Sequence, residues 1–131
     1  MQISSTVRSA MADAFETQIG TSARLLVFAG TLPAIGSSAS GTLLADMTLP
    51  ADWLTAASSG EKTLSGTWTD SSANAGGTAA VFQIWTNTLS FVGCQGVIAA
   101  TTTGDMQFSN TTVSSGLAVT VTAFTITMPT S

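Results

Sequence analysis

The sequence predicts a mainly β protein, either an antiparallel β-sandwich or a jelly-roll-like barrel, with one amphipathic N-terminal helix. The chain has 131 residues, which is a typical length for a single domain. After Gly20 the hydrophobic period changes from about 3.6 to 2 residues. About eight short alternating segments follow, separated by turn-forming residues. We therefore expect residues 1–131 to form one domain, with a tether and helix in 1–20 and a β-sandwich in 21–131.

The helix is predicted over residues 4–19. Ser4 or Ser5 can cap its first turn, and Gly20 stands where a helix commonly ends. Its apolar stripe has four members spaced at i+4: Val7, Met11, Phe15 and Ile19. Because a short helix needs a packing partner, this stripe should lie on the chain's own sheet or on a neighbouring subunit. Val7, Met11 and Phe15 are therefore candidate interface residues.

Eight strands are predicted, over residues 24–29, 42–49, 62–69, 78–86, 88–92, 96–101, 106–110 and 117–128. The bulky run at 81–85 predicts a central strand buried on both faces. Residues 93–96 carry two glycines and predict a hairpin connection. In the last strand the apolar parity changes near Ala123, which indicates a β-bulge or a strand that changes sheets.

Composition excludes several classes of function. Only 8% of residues are charged and the net charge is -4, so the chain is not an electrostatic binder of nucleic acid. Without histidine it has no Ser-His-Asp or Cys-His catalytic system and no histidine-ligated metal. No apolar run reaches the ~20 residues of a membrane span.

Few residues suggest chemistry. The aspartates that could act as acids or bases are dispersed, at Asp46, Asp52, Asp70 and Asp105. A calcium loop around Asp70 matches its motif only loosely. Cys94 has no basic neighbour to stabilise a thiolate, and a lone cysteine suits folding in a reducing cytoplasm. We expect no enzyme activity, no catalytic residue, no cofactor and no metal.

The three tryptophans are the remaining candidates for binding. Trp85 follows the bulky run and is expected to pack in the core, whereas Trp53 follows Pro50 in a loop and is a candidate surface anchor. Trp53 and Trp68 are the candidate interface tryptophans, and together they could also form a platform on which a sugar stacks.

Several segments resemble a known family. After the helix come residues 23–34 (ARLLVFAGTLPA) and 41–45 (GTLLA), and residues 106–116 (MQFSNTTVSSG) precede the last strand. This arrangement resembles small virion-associated proteins of tailed bacteriophages and prophages, which are encoded among the structural genes. Trp53, Trp68 and Cys94 depart from the family's pattern, and the family offers no catalytic residues.

The resemblance implies a structural virion protein, made in the host bacterial cytoplasm and placed on the capsid surface. Its expected role is capsid decoration, with the major capsid protein and copies of itself as partners, as a trimer or another symmetric oligomer. The low charge agrees with this expectation, because sparse charge permits close packing between subunits. A tail or head–tail joining protein is the alternative within virions, and a carbohydrate- or receptor-binding module is the alternative of another class.

Overall fold

The computed structural model describes residues 1–100 and 103–131, and it is mainly β and sandwich-like with one N-terminal helix. The helix α1 is Ser5–Ile19. Ten strands lie in the described residues: β1 Arg24–Ala29, β2 Thr42–Thr48, β3 Glu61–Thr63, β4 Thr69–Asp70, β5 Gly77–Thr78, β6 Val81–Trp85, β7 Val92–Ala99, β8 Met106–Phe108, β9 Thr112–Val113 and β10 Val119–Thr127. The predicted fold class is confirmed.

Eight of these strands form one sheet in the order β2-β1-β6-β7-β8-β10-β3, with β4 also pairing to β10. The strands β5 and β9 form a second, small sheet. The main sheet is mixed, because β7 and β8 run parallel, with Ile98 opposite Met106. The expectation of a purely antiparallel arrangement is therefore wrong at this one pair.

The outer edge of β2 is covered by the end of β4 and the segment that follows it. The backbone N–H of Asp46 donates to Oδ2 of Asp70 at 3.2 Å, and the N–H of Asn74 donates to the carbonyl of Leu44 at 2.8 Å. Because β4 also pairs with β10, the sheet curves until its two ends approach each other. Edge backbone groups that invite pairing with other chains are thus partly satisfied within the subunit.

The helix begins as the sequence predicts. Ser4 is its N-cap and accepts a hydrogen bond from the N–H of Val7 at 3.3 Å. At the other end the N–H of Gly20 donates to the carbonyl of Glu16 at 2.8 Å. The predicted tether is only partly free, because the N–H of Ile3 donates to the carbonyl of Thr130 at 2.8 Å.

The predicted hairpin at residues 93–96 is wrong. Strand β7 continues through this segment, with a register shift against β6 beside Gly93, and Gln95 lies opposite Gln83. The turn lies instead at residues 87–91, where the N–H of Thr86 donates to the carbonyl of Phe91, so the predicted strand at 88–92 is wrong except at Val92. The glycines serve packing instead: a Cβ at Gly93 would lie 2.4 Å from Cδ1 of Ile19, and one at Gly96 would lie 2.9 Å from the ring of Phe82.

Three other strand predictions have mixed outcomes. The predicted strand at 62–69 is interrupted, since β3 ends at Thr63 and β4 begins at Thr69. The parity change in the last strand is confirmed as a register shift between Val121 and Ala123 against β8. The predicted end of strand 96–101, Thr101, lies outside the described residues.

The core is formed by residues of the curved sheet and of its connecting segments, and α1 contributes Ile19 to it. As predicted, β6 is a central strand, between β1 and β7, and its residues 81–84 are buried. The fully buried large side chains include Trp53, Trp68, Phe82 and Phe108. In the described residues, no helix is long and apolar enough to cross a membrane.

Candidate functional site

Trp53 and Trp68 are not surface contacts. Trp53 is 0% exposed and Trp68 is 1% exposed. Trp53 Nε1 donates to the carbonyl of Gly20 at 2.9 Å, and Trp68 Nε1 donates to the carbonyl of Ser65 at 3.1 Å. Each indole therefore satisfies its polar group while its ring is buried. The prediction of a surface anchor and sugar platform at these residues is wrong, because their apolar area is needed in a small core.

The two indoles belong to a continuous row of aromatic rings. The ring centroids of Phe15 and Trp53 are 6.4 Å apart, those of Trp53 and Trp68 are 5.9 Å apart, and those of Trp68 and Phe124 are 5.4 Å apart. Phe82 continues the row with an edge-to-face contact to Phe124 at 5.8 Å. The row joins the helix to β10 and to the central strand β6, so it is a structural element.

The predicted helix stripe only partly coincides with the face that packs on the sheet. Val7 is 52% exposed, Met11 and Phe15 are half-buried, and Ile19 is buried. The fully buried position in the middle of the helix is Ala12. Val7 is thus free for contact with another molecule, whereas Phe15 already packs near Trp53.

The helix makes apolar and polar contacts to a surface that we call the helix cradle: Trp53, Leu54, Gly60, Lys62, Gly93 and Met128. At its centre Nζ of Lys62 lies 2.8 Å from Oδ1 of Asp13 and 2.6 Å from Oε2 of Glu16. The Lys62 side chain is 6% exposed and that of Glu16 is 16% exposed. A buried ammonium requires such partners, since an unpaired charge in this position is strongly unfavourable.

Further hydrogen bonds run along the same face. Arg8 Nε donates to the carbonyl of Met128 at 3.0 Å, and the N–H of Gly60 donates to Oγ of Ser9 at 3.1 Å. The N–H of Leu54 donates to Oε1 of Glu16 at 3.2 Å. One charged or polar residue of the helix therefore meets the cradle at almost every turn.

The charge state of Lys62 follows from these contacts. Burial by itself lowers the pKa of Lys62, but the hydrogen bonds and negative charges of Asp13 and Glu16 outweigh it, so the pKa lies above its ordinary value. The ammonium is therefore charged at neutral pH and binds the helix carboxylates as a salt bridge.

A cleft of about 510 Å³ opens beside this salt bridge, lined by Asp13, Glu16, Thr17, Gly20, Thr21, Ala51, Asp52 and Lys62. It carries three carboxylates and one ammonium, and that ammonium is already paired. In residues 1–100 and 103–131, no group of three or more cysteine, aspartate or glutamate side chains is arranged to hold a metal ion. The cleft is best described as the open margin of the helix contact.

A second polar cluster was missed by the sequence analysis. Gln83 is 0% exposed, and both ends of its amide are saturated. Its Nε2 donates to the carbonyl of Ser37 at 2.7 Å and to Oε1 of Gln95 at 2.9 Å, while its Oε1 accepts from the N–H of Ala39 and from Trp85 Nε1. The sequence signal for this cluster is a glutamine inside the otherwise apolar run 81–85, because a buried amide needs hydrogen-bond partners.

This cluster positions the loop between β1 and β2. Gln95 Nε2 also donates to the carbonyl of Pro33 at 2.7 Å. The loop is therefore fixed from beneath at Pro33, Ser37 and Ala39, while Leu32 is 39% exposed and Ile35 is 65% exposed. An ordered loop that presents apolar side chains outward is suited to a protein contact.

The candidate acids and Cys94 do not converge on a common site. Asp46 pairs with Arg24 at 2.9 Å, Asp70 accepts from the N–H of Ser72, and Asp105 accepts from the N–H of Val97. Burial, with a smaller effect of the nearby Asp105 charge, raises the pKa of the Cys94 thiol to about 12. That thiol is protonated at neutral pH and is a poor nucleophile.

Comparisons with known proteins yielded no relative: the chain matches no protein-family model, no curated protein and no solved structure.

Proposed function

We propose that this chain is a structural protein of a tailed-bacteriophage virion, with capsid decoration as its role. Its partners in this proposal are the major capsid protein and further copies of the chain, and its location is the capsid surface. The basis of the phage setting is the resemblance of residues 23–34, 41–45 and 106–116 to small virion-associated proteins.

The observation that supports an assembly role best is the distribution of charge and apolar area over the surface. Of the ten charged side chains, five (two bases and three acids) take part in ion pairs within the described structure. Large apolar side chains are exposed at several places, including Ile35 at 65%, Leu117 at 62% and Val97 at 46%. A surface with little free charge and exposed apolar residues favours association with other proteins.

Copy number in purified particles tests the location. Quantitative mass spectrometry of virions should give hundreds of copies per particle, and heads separated from tails should retain them. Six or twelve copies per particle, recovered with the neck or tail, would contradict decoration and support the alternative role as a tail or head–tail joining protein.

Surface substitutions test the contact itself. Ile35→Asp in the purified protein should lower its binding to heads that lack it by about tenfold or more, because a charge would be placed in an apolar contact. Ser38→Asp adds the same charge to the same loop at an exposed polar position and is the matched control. If Ile35→Asp, Val97→Asp and Leu117→Asp all bind as tightly as the unchanged protein, these side chains are not the contact.

A carbohydrate- or receptor-binding module is the weaker proposal. Its original basis was a platform of Trp53 and Trp68, and both are buried. This proposal would gain support from binding to a glycan array. That binding should persist in Trp85→Ala and be lost when an exposed loop is changed.

A further inference from the structure

The contact between α1 and its cradle combines apolar packing with several polar contacts. Within α1 only Ala12 and Ile19 are buried, and Phe15 packs near Trp53. The polar contacts are the salt bridges of Lys62 and the hydrogen bonds of Arg8, Ser9 and Glu16. Because Lys62 is buried, its ammonium must keep carboxylate partners, and the same carboxylates on the helix of a second copy would meet that requirement.

The connection between α1 and β1 is short and strained. It comprises residues 20–23. Gly20 has φ 95° and ψ -179°, which glycine adopts without strain. Ser22 has φ 50°, in the left-handed region that serine rarely occupies. A short hinge under strain favours exchange of the element that it connects.

We infer that α1 is an exchangeable arm, which leaves its own cradle and binds the cradle of a second copy of this chain. The cradle is complementary to α1, so the salt bridge of Lys62 with Asp13 and Glu16 re-forms between two subunits without any new surface. Opening of the hinge relieves the backbone strain at Ser22. Two copies that exchange arms form a symmetric pair in which each contact occurs twice.

This inference rests on the part of the proposed function that concerns binding between copies of the chain. It identifies the contact as the arm and cradle, and it applies to the purified protein without a virion. Arg8 and Asp52 are the other charged residues beside the exchanged contact, Arg8 on α1 and Asp52 in the lining of the adjoining cleft.

A charge-swap experiment tests the exchange directly. The variant Lys62→Glu retains an acidic arm but has an acidic cradle, so its own arm is repelled. The variant Asp13→Lys/Glu16→Lys has a basic arm and the original Lys62, so its own arm is repelled as well. In an equimolar mixture, however, both arm–cradle contacts between the two variants pair opposite charges.

We expect each variant alone to remain monomeric and their mixture to form a heterodimer. Light scattering after size-exclusion chromatography gives the mass, and native mass spectrometry identifies the two chains in it. Near-ultraviolet circular dichroism of the buried tryptophans reports whether each variant keeps the β core. A mixture of folded variants that stays monomeric would overturn the inference.

Hinge variants provide a second test in the otherwise unchanged chain. Deleting Thr21 shortens the connection and prevents α1 from reaching its own cradle, so the dimer fraction should rise by about tenfold or more at a fixed concentration. Ser22→Gly relieves strain at the hinge and should lower the dimer fraction relative to the unchanged chain. A shortened hinge that gives only monomers contradicts arm exchange, whatever the copy number found in virions.

Discussion

The side-chain amide of Gln83 donates a 2.9 Å hydrogen bond to the side-chain oxygen of Gln95, its neighbour across strands β6 and β7. Gln83 also donates to the carbonyl of Ser37 and accepts from the N–H of Ala39. Gln95 donates to the carbonyl of Pro33. Two glutamines on adjacent strands thus determine the conformation of a loop more than forty residues away in the chain.

Replacing Gln83 should loosen that loop. Gln83→Leu keeps a similar volume but leaves the N–H of Ala39 and the carbonyl of Ser37 without this partner, so we expect a loss of about 1–3 kcal/mol in the free energy of unfolding. Amide hydrogen exchange at residues 34–39 should become faster. Gln18→Leu, on the exposed side of α1, is the control, and equal effects of the two changes would contradict this role of Gln83.

The buried position of Trp68 gives a stability prediction that separates a core indole from a ligand platform. Trp68→Ala should lower the free energy of unfolding by about 3–5 kcal/mol, because it leaves a large cavity between Trp53 and Phe124. Trp85 is half-buried, so Trp85→Ala should cost less. Denaturant unfolding measures both. A smaller loss for Trp68 than for Trp85 would be incompatible with the row of packed rings.

Alkaline pH should weaken the contact of α1. The pKa of Lys62 lies above its ordinary value of 10.5 in the folded protein, so its stabilising effect is complete below that value and is lost as the pH rises through the folded-state pKa. Unfolding free energies measured above about pH 10.5 should therefore fall.

The raised thiol pKa of Cys94 also lowers the unfolding free energy as the pH rises, because the thiol ionises at a lower pH in the unfolded chain than in the folded protein. The unfolding free energy at alkaline pH is therefore measured in a Cys94→Ala background. In that background Lys62→Met should reduce the remaining fall of the unfolding free energy with pH. An unchanged slope after Lys62→Met would show that Lys62 has no such effect.

Cys94 should react slowly with alkylating reagents. A thiol pKa raised from 9.0 to about 12 leaves roughly a hundred- to a thousandfold less thiolate at pH 8. Mass spectrometry should show slow modification by iodoacetamide in the folded protein and rapid modification in denaturant. Rapid modification of the native protein would contradict a half-buried, protonated thiol.

Gly41 should tolerate no side chain. A Cβ at Gly41 would lie 1.7 Å from the carbonyl oxygen of Ala29, so Gly41→Ala forces the β1–β2 connection apart. We expect a loss of about 3 kcal/mol or more in the free energy of unfolding. At Gly76 the nearest atom to a Cβ would be 3.5 Å away, so Gly76→Ala is a matched control with little effect. Similar melting temperatures for the two variants would contradict the close approach at Gly41.

Local sequence signals predicted the local structure well. Ser4 caps α1, β1 spans Arg24–Ala29, and the parity change near Ala123 is a register shift in β10. In each case the determining contact lies within a few residues or follows from alternation along one strand. The glycines at 93 and 96 misled the prediction, because their requirement comes from Ile19 and Phe82 on other elements.

The exposure of the candidate site residues depends on tertiary contacts more than the local structure does. Trp53 has the same local sequence whether its loop lies on the surface or folds inward, and only the carbonyl of Gly20 and the rings of Phe15 and Trp68 place it in the core. The packed helix face likewise differs from the apolar stripe, because Lys62 on a distant strand draws Asp13 and Glu16 towards it.

The sequence by itself determined the fold class, the helix and its cap, the central strand β6 and the scarcity of charge, since these follow from composition and from periods of 3.6 and 2 residues. Only the tertiary structure decided which side chains are exposed, that Gln83 and Lys62 are buried polar centres, and that half of the few charges are paired. The physical reason is that burial and pairing are properties of contacts between residues far apart in the chain. No local pattern encodes which distant residue will supply the partner.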